Sequence, residues 1–183
     1  MSELLHRVWA MPSGDTFTIP PIIELLRRHL NGARVIVDPF ARNSRIGTIT
    51  NDLNPDTAAQ HHMDATDFCR MLADQETVAD VVLFDPPYSP RQISELYRAV
   101  HGKVTMQDTR NAVLYANVRD VMDPILKPGG IAISCGWNSG GFGKFDYQRL
   151  ETLLVCHGAA RNDTIVTVER KPDEEQYLFG AKA

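Results

Sequence analysis

Cysteine is scarce in this 183-residue chain, positive charge is not in excess, and no long apolar run is present. Cys69, Cys135 and Cys156 are odd in number and share no metal-ligand spacing. That argues against a disulfide framework or a zinc module and predicts three reduced core residues. No stretch approaches the ~18 apolar residues of a spanning helix, and the first residues carry no signal-peptide segment. A cytoplasmic protein without membrane contact is therefore expected. The net charge of −4 is awkward for a nucleic-acid binder, because phosphate contacts need positive surface. Any such surface must be local. Repeats, low-complexity tracts and linkers are absent, which predicts one domain over residues 1–183. Hydrophobic residues make up 43% of the chain and charged residues 23%, the balance of an ordinary globule with a sizeable core.

What is present centres on Asp85-Pro86-Pro87-Tyr88. These residues end the apolar run Val81-Val82-Leu83-Phe84, which reads as a buried parallel strand running into a turn. By composition, such a tetrapeptide arises by chance in on the order of one chain in a thousand of this length. Two prolines stiffen the turn and remove two N–H donors, so its backbone offers only carbonyl acceptors. Asp85 adds a carboxylate and Tyr88 a flat ring. An exocyclic amino group on a base needs that combination, acceptors for its hydrogens and a ring to stack on. The plainer reading is a proline turn after a strand.

Asp85-Pro86-Pro87-Tyr88 resembles the catalytic motif of the amino-methyltransferases, which use S-adenosylmethionine (SAM) to methylate N6 of adenine or N4 of cytosine; D-P-P-Y favours adenine. Trp9-Ala10-Met11-Pro12 and Asp38-Pro39-Phe40-Ala41-Arg42-Asn43 are similar to stretches of small bacteriophage adenine methyltransferases. The resemblance covers most of the chain. It implies a Rossmann-like SAM-methyltransferase fold: a mostly parallel seven-stranded sheet with a terminal antiparallel hairpin. It also implies that Phe17 lies over the methionine half of SAM, that Asp38, Pro39 and Phe40 form the main SAM loop, and that Asp64 and Ala65 hold its adenine.

Along the chain, Ile19–Leu30 reads as a helix started by Pro20 and Pro21 and ended near Gly32. Arg34–Asp38 reads as the first strand and Ile46–Thr50 as the second, with Asp52 and Leu53 at its end. An acid there can hold both ribose hydroxyls, or simply cap a helix begun by Pro55. Two departures stand out. Arg42 and Ser44 occupy positions that the family usually gives to glycine, although a positive φ suits arginine poorly. Only Pro39 to Arg45 separates the two strands, whereas a parallel crossover normally needs ~10–12 residues with a helix, so that helix must be reduced or missing. His61-His62-Met63 reads as a short third strand. Its adjacent histidines face opposite ways, so no metal is expected. Pro90–Val100 and Asn111–Leu126 read as helices and Lys127-Pro128-Gly129-Gly130 as a turn into the strand Ile131–Ser134. Asp146–His157 reads as the last helix, and Thr164–Glu169 with Gln176–Phe179 as the hairpin.

These readings converge on transfer of a methyl group from SAM to N6 of adenine in DNA. Asp85, Pro86, Pro87 and Tyr88 are the expected catalytic residues. Arg91, Arg98, Lys103 and Arg110, followed by Arg119, make a basic stretch opposed only by Glu95 and Asp108; it suits phosphates, though it also suits a solvated helix face. The short spacing from Asp64 to Asp85 leads us to expect no large target-recognition region. A very short recognition sequence, or a homodimer or second subunit supplying specificity, is therefore expected. RNA is the alternative substrate, since unpaired adenines avoid extrusion from a duplex. A non-catalytic nucleic-acid-binding subunit is the alternative from another class, favoured by Arg42, Ser44 and the missing helix. Glutamine methylation fits less well, because that family's motif begins with Asn.

Overall fold

In the computed structural model, residues 4–87, 111–144, 146–158 and 162–173 are described. The elements in chain order are β1 (Leu4–Trp9), a 3-10 turn (Thr16–Thr18), α1 (Pro20–His29), β2 (Ile36–Asp38), β3 (Ile49–Thr50) and α2 (Ala65–Asp74). They are followed by β4 (Ala79–Phe84), α3 (Asn111–Met122), β5 (Leu126–Gly136), β6 (Gln148–Cys156) and β7 (Thr164–Arg170). The seven strands form one sheet in the order β1-β6-β7-β5-β4-β2-β3. Only the pairs made by β7 are antiparallel. Alternation along the strands divides the core between two faces. Val81, Leu83, Ile133 and Cys135 pack with Ile22, Leu25 and Leu26 of α1. Val82, Phe84 and Ala132 pack with Phe68 and Leu72 of α2 and Val118 and Met122 of α3.

The mostly parallel seven-stranded sheet is as expected, but its membership differs. Leu4–Trp9 supplies an edge strand that the residues did not announce, paired parallel to β6. The expected third strand shrinks to a single bridge between Asn51 and His61, and the second to Ile49–Thr50. Asp146–His157 is not a helix. Gln148–Cys156 is a strand, hydrogen-bonded to β1 and β7. Leu150, Leu153 and Leu154 have helical spacing, yet the segment is buried on both faces, which hides the two-residue period. Even Glu151 is buried there, accepting from Arg28 at 2.6 Å and paired with His29 at 2.7 Å. The antiparallel partners of β7 are thus β5 and β6; Gln176–Phe179 lies outside the described residues, as does Pro90–Val100. Lys127–Gly130 is not a turn ahead of β5 but a bulge inside it: pairing steps from Ala79 opposite Leu126 to Val81 opposite Ile131.

No helix links β2 to β3, as the spacing required. The return is possible because β2 is only three residues long, a rise of about 10 Å. Thr48 comes back alongside Ile36: its N–H donates to the Ile36 carbonyl, and its Oγ1 accepts from the Ile36 N–H, each at 2.8 Å. Gly47 passes so close that a Cβ there would stand 2.9 Å from Asp38 Cβ. The connection is held by Asn51, whose side chain is fully buried. Its Nδ2 donates to the carbonyls of Pro39 (3.2 Å) and Met63 (3.0 Å), and its Oδ1 accepts from Met63 N–H at 3.1 Å. Its backbone N–H donates to Asp38 and its carbonyl accepts from Ala41, each at 2.9 Å.

Asn51→Ala should leave the Pro39 carbonyl and the Met63 N–H and carbonyl without their side-chain partner and cost about 2–4 kcal/mol. The check is urea unfolding of parent and variant; a loss below ~1 kcal/mol would show that backbone pairing alone holds the connection.

Candidate active site

The strand order reverses between β2 and β4, where β3 lies to one side and β5 to the other. Open α/β sheets bind ligands at the carboxyl ends of their strands at such a point. Asp38 ends β2 there, and Asp85-Pro86-Pro87 follows β4. Phe40 meets Phe84 edge-on, ring centroids 5.8 Å apart, tying the two tips together. Asp38 is fully buried. Its Oδ1 accepts from Phe40 N–H at 3.1 Å, while its Oδ2 has no hydrogen-bond partner. Burial pushes its pKa up to about 8, the Phe40 N–H opposes the rise, and the charges of Asp85 and Asp52 add to it. A carboxyl in that setting is protonated at neutral pH and ready to ionise beside a cation.

Asp52 stands at the tip of β3 with both oxygens engaged: Oδ2 accepts from Arg42 N–H at 3.1 Å and Oδ1 from Asn54 N–H at 2.9 Å. Each oxygen keeps a further lone pair for a ligand hydroxyl. Arg42 has taken the backbone conformation that glycine usually supplies, with φ at +51°, at a cost of about 1–2 kcal/mol. Its position has a use. The guanidinium donates to the Gly14 carbonyl and lies 3.4 Å from the Asp15 carboxylate, fastening the N-terminal loop over the β2 tip. Phe17, just beyond that loop, is buried among Ile19, Ile22 and Leu25. Asp64 caps α2, its Oδ1 accepting from Thr66 N–H at 2.8 Å, and the buried Ala65 begins the helix. Leu53 is half-buried.

On the other side of the β4 turn lies a cavity of about 340 Å³, lined by Phe84, Pro86, Arg119, Ser134, Trp137 and Asn138 among others. Among its described residues the β5–β6 connection that walls it has no helix. Residues 137–144 and 146–147 are loop, anchored by Phe142 and Tyr147, whose rings stack 5.6 Å apart, with Phe142 edge-on to Phe84. Buried Glu169 holds the loop from below, accepting from Phe142 N–H and from Arg149 Nη2 at 3.0 Å. Arg149 Nη2 also donates to Ser139 O at 3.0 Å. Gly141 needs its φ of +62°, and a Cβ there would collide with the Glu169 carboxylate. Arg119 is half-buried, not part of a solvated stripe: its guanidinium lies 5.8 Å from the Phe84 ring centroid, within cation–π range. Burial pushes the Cys135 thiol well above its ordinary value, so it is inert at neutral pH.

The structure therefore gathers Asp38, Pro39, Phe40, Asp52, Asp85, Pro86 and Pro87 at one end of the sheet. Tyr88, Arg91, Arg98, Lys103 and Arg110 lie outside the described residues. Among the described residues no group of three or more His, Cys, Asp or Glu is placed to hold a metal ion, and no helix is long and apolar enough to cross a membrane. The residues alone gave no role to Asn51, Ser134 or Glu169, and placed Arg119 only in a basic stretch. The one available signal was a polar residue at an inward position of an apolar run, as Ser134 is in Ile131–Cys135.

No protein-family model matches the sequence, and no curated protein matches it. Solved structures do resemble it. TrmN from Thermus thermophilus superposes with a TM-score of 0.53 at 16% identity, over 84% of this chain and 49% of that one. N-methyltransferase NodS from Bradyrhizobium japonicum WM9 gives 0.53 at 14% identity, over 82% and 94%. The 1,6-didemethyltoxoflavin-N1-methyltransferase of Burkholderia thailandensis, with bound 1,6-didemethyltoxoflavin and S-adenosylhomocysteine, gives 0.53 at 15%, over 84% and 77%. The chain spans only about half the length of TrmN, 49%, and 46% of a putative SAM-dependent methyltransferase from Streptococcus mutans. At these identities the likeness is one of architecture: the chain has the Rossmann-like fold of the SAM-dependent methyltransferases.

Proposed function

We propose that this chain binds SAM and transfers its methyl group to N6 of an adenine in DNA. The observation that carries the reading is the meeting of Asp38 and Asp85-Pro86-Pro87 at the reversal of strand order, with one buried Asp38 oxygen left without a partner. A buried acceptor of that kind fits a ligand bearing cationic donors. When bound, SAM would supply a methyl group made electrophilic by its sulfonium. Asp38 would accept from the ammonium group, Asp52 from the ribose hydroxyls, and Asp64 with the Ala65 N–H would hold the adenine.

Asp85 and the Pro86 carbonyl accept the two N6 hydrogens of the target, leaving the nitrogen lone pair aimed for in-line attack. The contribution is positional and electrostatic. No strongly basic side chain is needed, because the methylated aminium loses its proton readily. Tyr88 stacks on the adenine, which must first leave the duplex stack. Arg91, Arg98, Lys103 and Arg110 contact phosphates. Specificity is short or comes from a second copy or another subunit. The neighbours with bound S-adenosylhomocysteine support the cofactor half of this reading through shared architecture.

The test is calorimetric titration with SAM, then labelled methyl transfer to unmethylated DNA and RNA. Transfer to DNA is expected; transfer to RNA alone moves the substrate, and absence of SAM binding ends the reading. Asp85→Ala should fold, bind SAM within a few-fold of the parent and lose at least ~100-fold in transfer rate. Activity within a few-fold of the parent would remove this turn from the chemistry.

Asp38 makes a pH prediction with a definite sign. Its folded pKa of about 8 stands above the ordinary value of 3.8, so between about pH 4 and 8 the folded state holds a proton that the unfolded state lacks. Stability should fall as pH rises through that window and then level off. Asp38→Asn should flatten the slope. A cationic ligand draws the proton off, so SAM affinity should rise from pH 6 to 7.5, below the ~7.7–8.0 at which the ligand's own amine titrates. Calorimetry in buffers of different ionisation enthalpy should detect the released proton. A pH-independent affinity with no release would remove Asp38 from the cofactor site.

A further inference from the structure

Among the described residues three buried side-chain atoms have no hydrogen-bond partner: Asp38 Oδ2, Ser134 Oγ and Arg149 Nε. Arg149 is held by its other nitrogens, and Asp38 belongs to the proposed cofactor side. Ser134 is left. It is 4% exposed and lies on β5 directly opposite Phe84 of β4 and Thr167 of β7. Paired residues share a sheet face, so the three form one row, and all three line the 340 Å³ cavity. The same cavity reaches Pro86, inside the proposed catalytic turn, and Trp137, whose side chain is half exposed at the end of β5.

A buried hydroxyl without a partner costs stability, and one that lines a cavity is placed to bond a group that enters it. The cavity's size limits that group. About 340 Å³ lies near the lower end of the ~300–1,000 Å³ typical of small-molecule sites. That is room for one nucleotide-sized group.

We propose that the cavity between β4, β5 and the 137–144 loop seats a single unpaired purine nucleotide, with the Ser134 hydroxyl bonded to the base edge and Trp137 walling its face. This rests on the reading of the chain as an adenine methyltransferase and names the residues that select its acceptor. Asp38 faces the α1 side of the sheet by alternation with Ile36 and Val37, whereas Ser134 faces the α3 side with Phe84. Cofactor and acceptor thus approach the Asp85 turn from different sides.

The experiment compares the parent with Ser134→Ala for thermal unfolding, SAM affinity, methyl transfer, and binding of two short single-stranded oligodeoxynucleotides, one with a single adenine and one with none. Ser134→Ala should unfold at the same or a higher temperature, because a partnerless hydroxyl is removed. It should keep SAM affinity within twofold and lose ~10-fold or more of its preference for the adenine strand. An unchanged preference and acceptor KM would overturn the proposal, leaving Ser134 a hydroxyl satisfied by water, while the methyltransferase reading stands. A parent that transfers no methyl but prefers the adenine strand, with the preference lost in Ser134→Ala, would uphold the site and end the catalytic reading. A parent with neither property ends both. Should Ser134→Ala fail to fold, Ser134→Cys, similar in size with a weaker donor, is expected to lose preference ~3-fold or more; no loss would overturn the proposal.

Discussion

The side chain of Asn51 is the constraint on which the site end of this fold depends. A crossover without a helix leaves backbone donors and acceptors of the connecting loop in the interior, where each costs free energy unless paired. One amide satisfies three of them, in Pro39 and Met63, while the Asn51 backbone meets Asp38 and Ala41. The β2 tip, the β3 tip and the segment entering α2 are thereby fixed to one another. Asp38 and Asp52 hold their places because their loops are fastened at this point.

The same economy recurs on the other side of the sheet. The described residues of the β5–β6 connection also form no helix, and they are kept by Phe142 and Tyr147 on one side and by the buried Glu169–Arg149 pair on the other. An ion pair that deep gains little net stability, but it donates and accepts at defined points. The Phe142 N–H and the Ser139 carbonyl are placed by it. The cavity beside the Asp85 turn exists because a loop with those anchors covers less of the sheet than a helix does.

This end of the molecule holds strain and unsatisfied polarity among its described residues. Arg42 adopts a positive φ, Gly47 is pressed against Asp38, and Asp38 and Ser134 each bury an oxygen without a partner. Elsewhere Glu76, between α2 and β4, also takes a positive φ, at +54°, while α1 begins with two prolines and ends in basic residues that suit the helix dipole, and Asp64 caps α2.

Local chemistry was legible in the residues alone. An apolar run ending in Asp-Pro-Pro is a buried strand with a stiff turn in any context, because proline's limits are covalent. The count from Pro39 to Arg45 ruled out a crossover helix by length. The nature of residues 148–156 was not legible, because a strand buried on both faces shows no alternation and its leucines fall at helical spacing by coincidence. Leu4–Trp9 became a strand only because the β6 edge offered it partners. The role of Arg42 depended on Gly14 and Asp15 arriving beside it, and that of Arg119 on the ring of Phe84. Residue types and spacing determined the turn, the missing helix and the acids at the strand ends. Which polar groups found partners, and which were left facing a cavity, was decided by contacts between segments far apart in the chain, which only the tertiary structure brings together.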